Sequence, residues 1–271
     1  MPRWGITHDF VDFSDLAAIE QAIKPETKAL YIETPSNPVL NITDIRAVVG
    51  IAKKHQLFTI ADNTFLSPFL QKPLDLGVDI VVHSATKFLA GHSDILAGAV
   101  VVNDKKLADQ VYFIQNAVGA TLSVFDTWLL LRGIKTLGVR MTHSSESAHK
   151  IAEHLGAHEK VSNVLYPGLK THKGYEIHAS QAKNGGAVLS FDVGSQENAK
   201  KVVESLHIPV FSVSLGAVET IISYPPKMSH AELNVDELAK CGITPGLLRF
   251  SVGLEDADDL IADLDSALAL I

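Results

Sequence analysis

An α/β fold with a mainly parallel sheet is what this sequence predicts, and three observations carry that reading. In the first half, short apolar runs alternate with segments of helical periodicity, the pattern of strand–helix–strand units. Those runs end on polar side chains, Glu33, Asp62 and Ser84, as they do where a ligand lies beyond the carboxyl ends of parallel strands. The second half changes rhythm, with fewer and differently spaced strands, and predicts a smaller α/β unit of its own.

Lys28-Ala29-Leu30-Tyr31-Ile32 reads as a strand ending at Glu33, and Thr34-Pro35-Ser36-Asn37-Pro38 as a turn-rich loop. Ile45, Val48, Val49 and Ala52 keep i, i+3, i+4, i+7 spacing, which predicts a helix capped by Thr43. Leu57–Ala61, Val78–Val82 and Leu96–Val102 are the next strands. From Ser123 to Ala157 there is no proline, and Phe125, Trp128, Leu129, Leu131 and Ile134 recur at helical spacing. This segment is one long helix, or two broken near Gly133 or Gly138. It sets the expected boundary between a large cofactor domain, residues 1–135, and a C-terminal domain, residues 136–271. In the latter, Ala187–Val193 is a strand, Gln196–Leu206 a helix and Leu248–Val252 a strand. A closing helix carries Leu260, Ile261, Leu264 and Leu268 on one face. The acids Glu255, Asp256, Asp258 and Asp259 stand at its start, where the helix dipole favours negative charge.

The 271 residues suffice for one large or two ordinary domains, and 46% apolar with 20% charged residues is a globular composition. A net charge of −8 with no long basic cluster argues against a nucleic-acid partner. The single cysteine, Cys241, excludes an internal disulfide framework and a cysteine-rich zinc site, and suits a reducing cytosol. Met1–Ile6 lacks the basic-then-apolar pattern of a signal peptide, and no apolar run reaches the length of a membrane span. The expectation is a cytoplasmic protein with no membrane partner.

The chemistry concentrates in His83-Ser84-Ala85-Thr86-Lys87-Phe88-Leu89-Ala90-Gly91-His92-Ser93-Asp94. A strand-end lysine is usually a solvated surface charge. Here two hydroxyls, Ser84 and Thr86, precede Lys87, and Gly91 permits close backbone approach. Such a lysine can hold an aldehyde cofactor as a Schiff base while the hydroxyls hold its phosphate. Asp62 ends the preceding strand; it is a turn residue on one reading, and on the other the carboxylate that keeps a pyridoxal ring nitrogen protonated. Together, Asp62 and Lys87 point to pyridoxal 5′-phosphate (PLP). Glu33 and Asn37 are either loop caps or part of the same site. Arg249, inside the apolar run Leu247–Ser251, is costly to bury unpaired, so it is expected to meet an anion, either a substrate α-carboxylate or an internal Asp or Glu. His83, His92 and Asp94, like His143 and His149, match no metal-ligand spacing, and no metal site is expected.

The lysine segment resembles the cofactor-lysine motif of the Cys/Met-metabolism PLP enzymes, the cystathionine lyases and synthases, methionine γ-lyase and the homoserine sulfhydrylases. Glu33–Pro38, Ala61–Phe65, Ser214–Thr220 and Leu248–Asp256 resemble further signatures of that family, in order along essentially the whole chain. The resemblance implies a fold type I PLP enzyme, active as a homodimer or homotetramer on a small amino-acid substrate. Lys87 would carry the cofactor and shuttle protons, Asp62 would pair with the pyridinium, and Ser84 and Thr86 would bind phosphate. Arg249 would bind the substrate carboxylate, with Asn37 and Ser214 orienting substrate and cofactor. The implied reaction is β- or γ-elimination from cystathionine, giving a thiol amino acid, ammonia and a keto acid. Val213 and the segment Ile243–Leu248 look most like bacterial cystathionine lyases. A γ-synthase or sulfhydrylase-type transferase is the alternative. The resemblance also sets Met1–Ile6 against an internal family segment, so the large domain is expected to lack the N-terminal arm, the glycine-bearing phosphate loop and the ring-stacking tyrosine. An inactive truncated form is therefore a further alternative.

Overall fold

The structure, a computed structural model, describes residues 2–271. A first sheet holds β1 (Ala29–Glu33), β2 (Phe58–Asp62), β3 (Ile80–Ser84) and β4 (Gly98–Val102), in that spatial order. β1, β2 and β3 run parallel, with Glu33 opposite Asp62. β4 pairs antiparallel with β3. No helix lies in the 85–97 segment between them to carry the chain back across the sheet, so a reversed return is the available geometry. Leu96, expected in this strand, lies ahead of it and is exposed.

Alternation decides which face of this sheet is packed. Leu30, Ile32, Thr59, Ala61, Val81 and His83 are buried, while Tyr31, Phe58, Ile60, Ile80 and Val82 are open or half-open on the other face. The buried side packs against α1 (Leu16–Ala22) and α2 (Ile45–Lys54) through Ile19, Ile45, Val48, Val49 and Ala52. The cap of α2 is Asp44, whose carboxylate accepts from the Ala47 N–H at 3.0 Å, one residue beyond the expected Thr43. Asp44 has the extended backbone of a cap residue, and the Thr43 N–H before it donates to the Thr34 hydroxyl at 3.0 Å.

Then come α3 (Ser67–Leu70) and α4 (Lys105–Val118), which the sequence pattern did not reveal. The proline-free segment forms two helices, α5 (Val124–Lys135) and α6 (Leu137–Ala157), and the break falls at Thr136 between the two expected glycines. The second sheet has the order β5-β6-β9-β8-β7, with β5 (Asn163–Leu165), β6 (Val188–Asp192), β7 (Val210–Phe211), β8 (Ile221–Ser223) and β9 (Leu247–Ser251). Its pairings are antiparallel except β7 with β8. α7 (Tyr175–Gln181), α8 (Gln196–Ser205), α9 (Val235–Lys240) and α10 (Ala257–Leu268) complete the chain.

β6, β8 and β9 are buried at every position. Leu189, Phe191, Ile222, Leu248 and Phe250 pack on Ile151, Leu155, Val202, Leu260 and Leu264 of α6, α8 and α10. Each such side chain contributes about 1.5–3 kcal/mol of burial. Asp256 caps α10 and Asp258 and Asp259 occupy its first turn, whereas Glu255 turns away to accept from the Thr220 N–H and hydroxyl. The opposite face of the same sheet meets the loop after β1: the Ser190 hydroxyl donates to the Pro38 carbonyl at 2.6 Å. The candidate site lies on that side.

Candidate active site

Because β1, β2 and β3 run parallel, their last residues, Glu33, Asp62 and Ser84, come to one edge of the sheet. Asp62 is held by its own turn. One carboxylate oxygen, Oδ1, accepts from the Thr64 N–H at 2.9 Å and from the Thr64 hydroxyl at 2.5 Å. Among the described residues the other, Oδ2, has only the Tyr31 hydroxyl, at 3.5 Å. Thr64 also accepts from the Ser84 N–H at 2.8 Å, which ties the end of β2 to the end of β3. Beside Asp62, Glu33 accepts weakly from the Asn37 N–H at 3.5 Å. Crowding by protein atoms, more than Asp62, pushes the Glu33 carboxyl up to about 7, although water reaching its exposed surface screens that effect.

Lys87 follows β3 on a tight turn in which the Lys87 N–H donates to the Ser84 carbonyl and the Gly91 N–H to the Lys87 carbonyl. Its half-buried amine meets the Ser214 hydroxyl at 2.9 Å and no carboxylate among the described residues. Burial, and then the Arg249 charge, lower its pKa from the ordinary lysine value. Gly216, at φ +78°, lets the Ser214 loop approach this closely, since a Cβ there would lie 2.8 Å from the Phe88 nitrogen.

Arg249 sits in β9, 2% exposed. It donates to Asn37 Oδ1 at 2.8 Å and to the carbonyls of Val213 and Ser214 at 3.1 and 2.7 Å. All three acceptors are neutral, so the expected internal carboxylate partner is not what the fold supplies. Its Nε–H is buried with no partner among the described residues. Burial lowers the guanidinium to about 10, which leaves it charged at neutral pH.

Lys87, Ser214, Arg249 and Asn37 thus form one connected chain of contacts across 212 residues of sequence. Asp62 and Ser84 form a second group, joined through Thr64. The Ser84 hydroxyl has no hydrogen bond among the described residues, whereas the Thr86 hydroxyl both donates to the Ala97 carbonyl and accepts its N–H. Thr86 therefore ties the lysine turn to Ala97, the residue just ahead of β4, and one remaining lone pair is what it can offer a ligand. Thr64 and Tyr31 were not singled out in the sequence. Their signal is position: one is two residues beyond Asp62 and able to form an Asx-type turn, the other is two residues before Glu33 on the same strand face.

The residues fit an aldehyde cofactor bearing a pyridine nitrogen and a phosphate. The amine is paired to a neutral hydroxyl instead of being locked in an ion pair. One oxygen of Asp62 is nearly free to accept, a serine hydroxyl is free, and a buried N–H waits for an anion.

The family model described as Cys/Met metabolism PLP-dependent enzyme matches residues 1–269. A cystathionine beta-lyase MetC of Bacillus subtilis (strain 168) is 56% identical over 268 residues, covering 99% of this chain and 69% of the relative. A cystathionine gamma-lyase of the same organism is 48% identical over 98% of this chain and 70% of its own length. The crystal structure of cystathionine gamma-lyase from Lactobacillus plantarum complexed with L-serine superposes with a TM-score of 0.96 at 44% identity, covering 99% of this chain and 70% of that one. Cystathionine gamma synthase from Xanthomonas oryzae pv. oryzae in complex with cystathionine gives 0.93 at 45%, covering 96% and 67%.

Proposed function

Because this chain belongs to the Cys/Met metabolism PLP-dependent enzyme family, we propose that Lys87, Asp62 and Arg249 together hold pyridoxal phosphate and an amino-acid substrate whose carbon–sulfur bond is cleaved. The architecture is that of fold type I PLP enzymes. The chain is a PLP-dependent cystathionine lyase, releasing a thiol amino acid, ammonia and a keto acid. The observation that carries the site assignment is the Lys87 amine, which meets no carboxylate among the described residues and is joined through Ser214 to a buried arginine with an N–H unpaired among them.

Bound there, the cofactor supplies an aldehyde that joins an amine and a pyridinium ring that draws off an electron pair. Asp62 Oδ2 holds the proton on the ring nitrogen, while Thr64 fixes the carboxylate through Oδ1. Ser84, and to a lesser degree Thr86, bind the phosphate. Arg249 pairs with the substrate α-carboxylate through the N–H groups its protein partners leave free, and Asn37 keeps the guanidinium plane in place. Lys87 takes the substrate's α-proton on Nζ and returns it where the leaving thiol or the adjacent carbon needs one. A lowered lysine pKa suits that task, since the base must be neutral to accept. The Ser214 hydroxyl holds Nζ in line.

We further place the protein in the cytoplasm, which its single free cysteine supports. No helix among the described residues is long and apolar enough to cross a membrane. A second copy of the chain is the partner we assign to the exposed apolar side chains of α4 and α5, among them Phe113, Ile114 and Trp128, with a homotetramer as the full assembly. The division into residues 1–135 and 136–271 is supported by the two separate sheets on either side of the break at Thr136.

The test is to supply the chain with PLP and cystathionine and identify the keto acid. Pyruvate marks β-elimination and 2-oxobutyrate γ-elimination, while incorporation of an added thiol marks a transferase. Release is expected from the wild type and not from Lys87→Ala. Equal release by both would overturn the assignment of Lys87.

A further inference from the structure

Arg140 on α6 is buried, 5% exposed, and faces no carboxylate among the described residues. Its donors go to the carbonyls of Phe88 at 2.8 Å, Gly133 at 2.8 Å and Leu89 at 3.4 Å, and Nε–H goes to the Thr136 hydroxyl at 3.1 Å. Burying a full charge against neutral oxygens costs on the order of several kcal/mol before these bonds offset it. Two of the four acceptors belong to the residues that immediately follow Lys87.

Two glycines make the arrangement possible. Gly91, at φ +74°, closes the lysine turn, and a Cβ there would collide with the Arg140 guanidinium. Gly133, near the end of α5, meets the Ala90 carbonyl so closely that no side chain fits between. The junction of α5 and α6 is therefore pressed onto the lysine turn backbone to backbone, with the guanidinium as the clamp. On its other side, the Gly91 carbonyl accepts from the Val218 N–H at 2.9 Å, which ties the turn to the loop that supplies Ser214.

We propose that Arg140 is a positioning residue for Lys87: by gripping the Phe88 and Leu89 carbonyls it fixes the turn so that the amine is held at Ser214, where it would be available to the cofactor's aldehyde. It acts through the backbone of the turn. The inference rests on Lys87 being the amine that captures the cofactor.

Arg140→Lys keeps the charge and loses the planar fork that reaches three carbonyls at once. Thr136→Val is a gentler change that removes the Nε acceptor and the bond the same hydroxyl donates to the Gly133 carbonyl at 3.1 Å, and leaves the guanidinium fork in place. Two readouts separate positioning from simple stability. One is the rate at which the full chain captures added PLP, followed by the growth of its visible absorbance. The other needs no cofactor: the rate of acetylation of Lys87 in the cofactor-free chain, by peptide mass spectrometry, with the exposed Lys160 and Lys240, away from the junction, as internal references. Capture should slow about ten-fold in Arg140→Lys, the scale of a sub-ångström misplacement. The Lys87 acetylation rate should change several-fold while the reference lysines hold, and Thr136→Val should move both in the same direction by less. Wild-type capture and wild-type Lys87 acetylation in both variants, even with a lowered melting temperature, would overturn the proposal. Should Arg140→Lys not fold, Thr136→Val decides alone by the same criterion. Lys87→Ala, run alongside, separates the two claims. If it captures PLP as the wild type does, both fall; if it does not while the other two variants match the wild type, only the positioning role falls.

Discussion

The two sheets handle charge in opposite ways. In the first, one face is packed and the other open, and its carboxylates sit at strand ends on the open side, where Asp62 needs only its own turn to hold it. In the second, β9 is buried throughout, and Arg249 stands in the middle of a strand, surrounded by neutral acceptors and missing one partner. Asp62, half-buried at a strand end, is held by the two bonds from Thr64. A mid-strand guanidinium is costly to desolvate, and Arg249, unlike Arg140, whose three nitrogens all donate, keeps a buried N–H without a partner among the described residues, which suits an arriving anion. The site is built from one of each.

Truncating one aromatic in each sheet tests the packing side of this contrast. Phe250→Ala should cost about 3–5 kcal/mol of unfolding free energy, the usual loss for a fully buried phenylalanine. Phe58→Ala, whose side chain is 53% exposed, should cost about 1 kcal/mol or less. Denaturant unfolding of the two variants checks both; similar losses would mean the open face of the first sheet is packed after all.

Arg249→Gln addresses the charge side. It should lower kcat/KM by the equivalent of about 2–5 kcal/mol, mostly through KM, as expected when one partner of a buried charge pair is removed. Steady-state kinetics on cystathionine read this directly. An unchanged KM would remove Arg249 from substrate binding.

The pH dependence of cofactor capture follows from Lys87. Its pKa is lowered by burial first and by Arg249 second. The neutral amine is the nucleophile, so capture speeds up as pH rises and levels off below the ordinary lysine range. Removing the Arg249 charge takes away one lowering influence, so in Arg249→Gln the midpoint should move to higher pH. Capture rates across pH, measured for both proteins, give the sign.

The smallest effect is expected at Thr64. Thr64→Val deletes the hydroxyl that donates to Asp62 and accepts from the Ser84 N–H, and should lower kcat by the equivalent of about 1 kcal/mol, the typical net worth of a hydrogen bond. Substrate KM should hold, since Arg249 is untouched.

Much of this contrast was legible in the sequence because burial leaves a period. Leu30, Ile32, Ala61 and Val81 alternate with open positions, whereas the continuous apolar run around Arg249 announced a strand buried on both faces. α4 was not legible: its apolar side chains, Tyr112, Phe113, Ile114 and Val118, are exposed, and no residue of the helix is buried, so no packed stripe marks it. The cap of α2 lies one residue beyond Thr43 because both Thr43 and Asp44 are cap-forming types, Asp the stronger, and it is the Asp44 carboxylate that accepts from the Ala47 N–H. β7 and β8, two and three residues long, are too short to carry any period. The sequence places Asp62 at a strand end, where it lies, and Lys87 at the end of the next strand, whereas it stands on the turn three residues beyond Ser84. Arg140 was not legible, because a single arginine in a helix looks solvated until tertiary packing sets the lysine turn on top of it.

On the proposed reading the cofactor is held on the Lys87 amine. Incubating the chain with PLP, reducing with borohydride, and mapping the added mass to peptides would locate it. The cofactor mass should appear on the peptide containing Lys87 and vanish in Lys87→Ala. Label on a different lysine, or equal labelling of the variant, would contradict it.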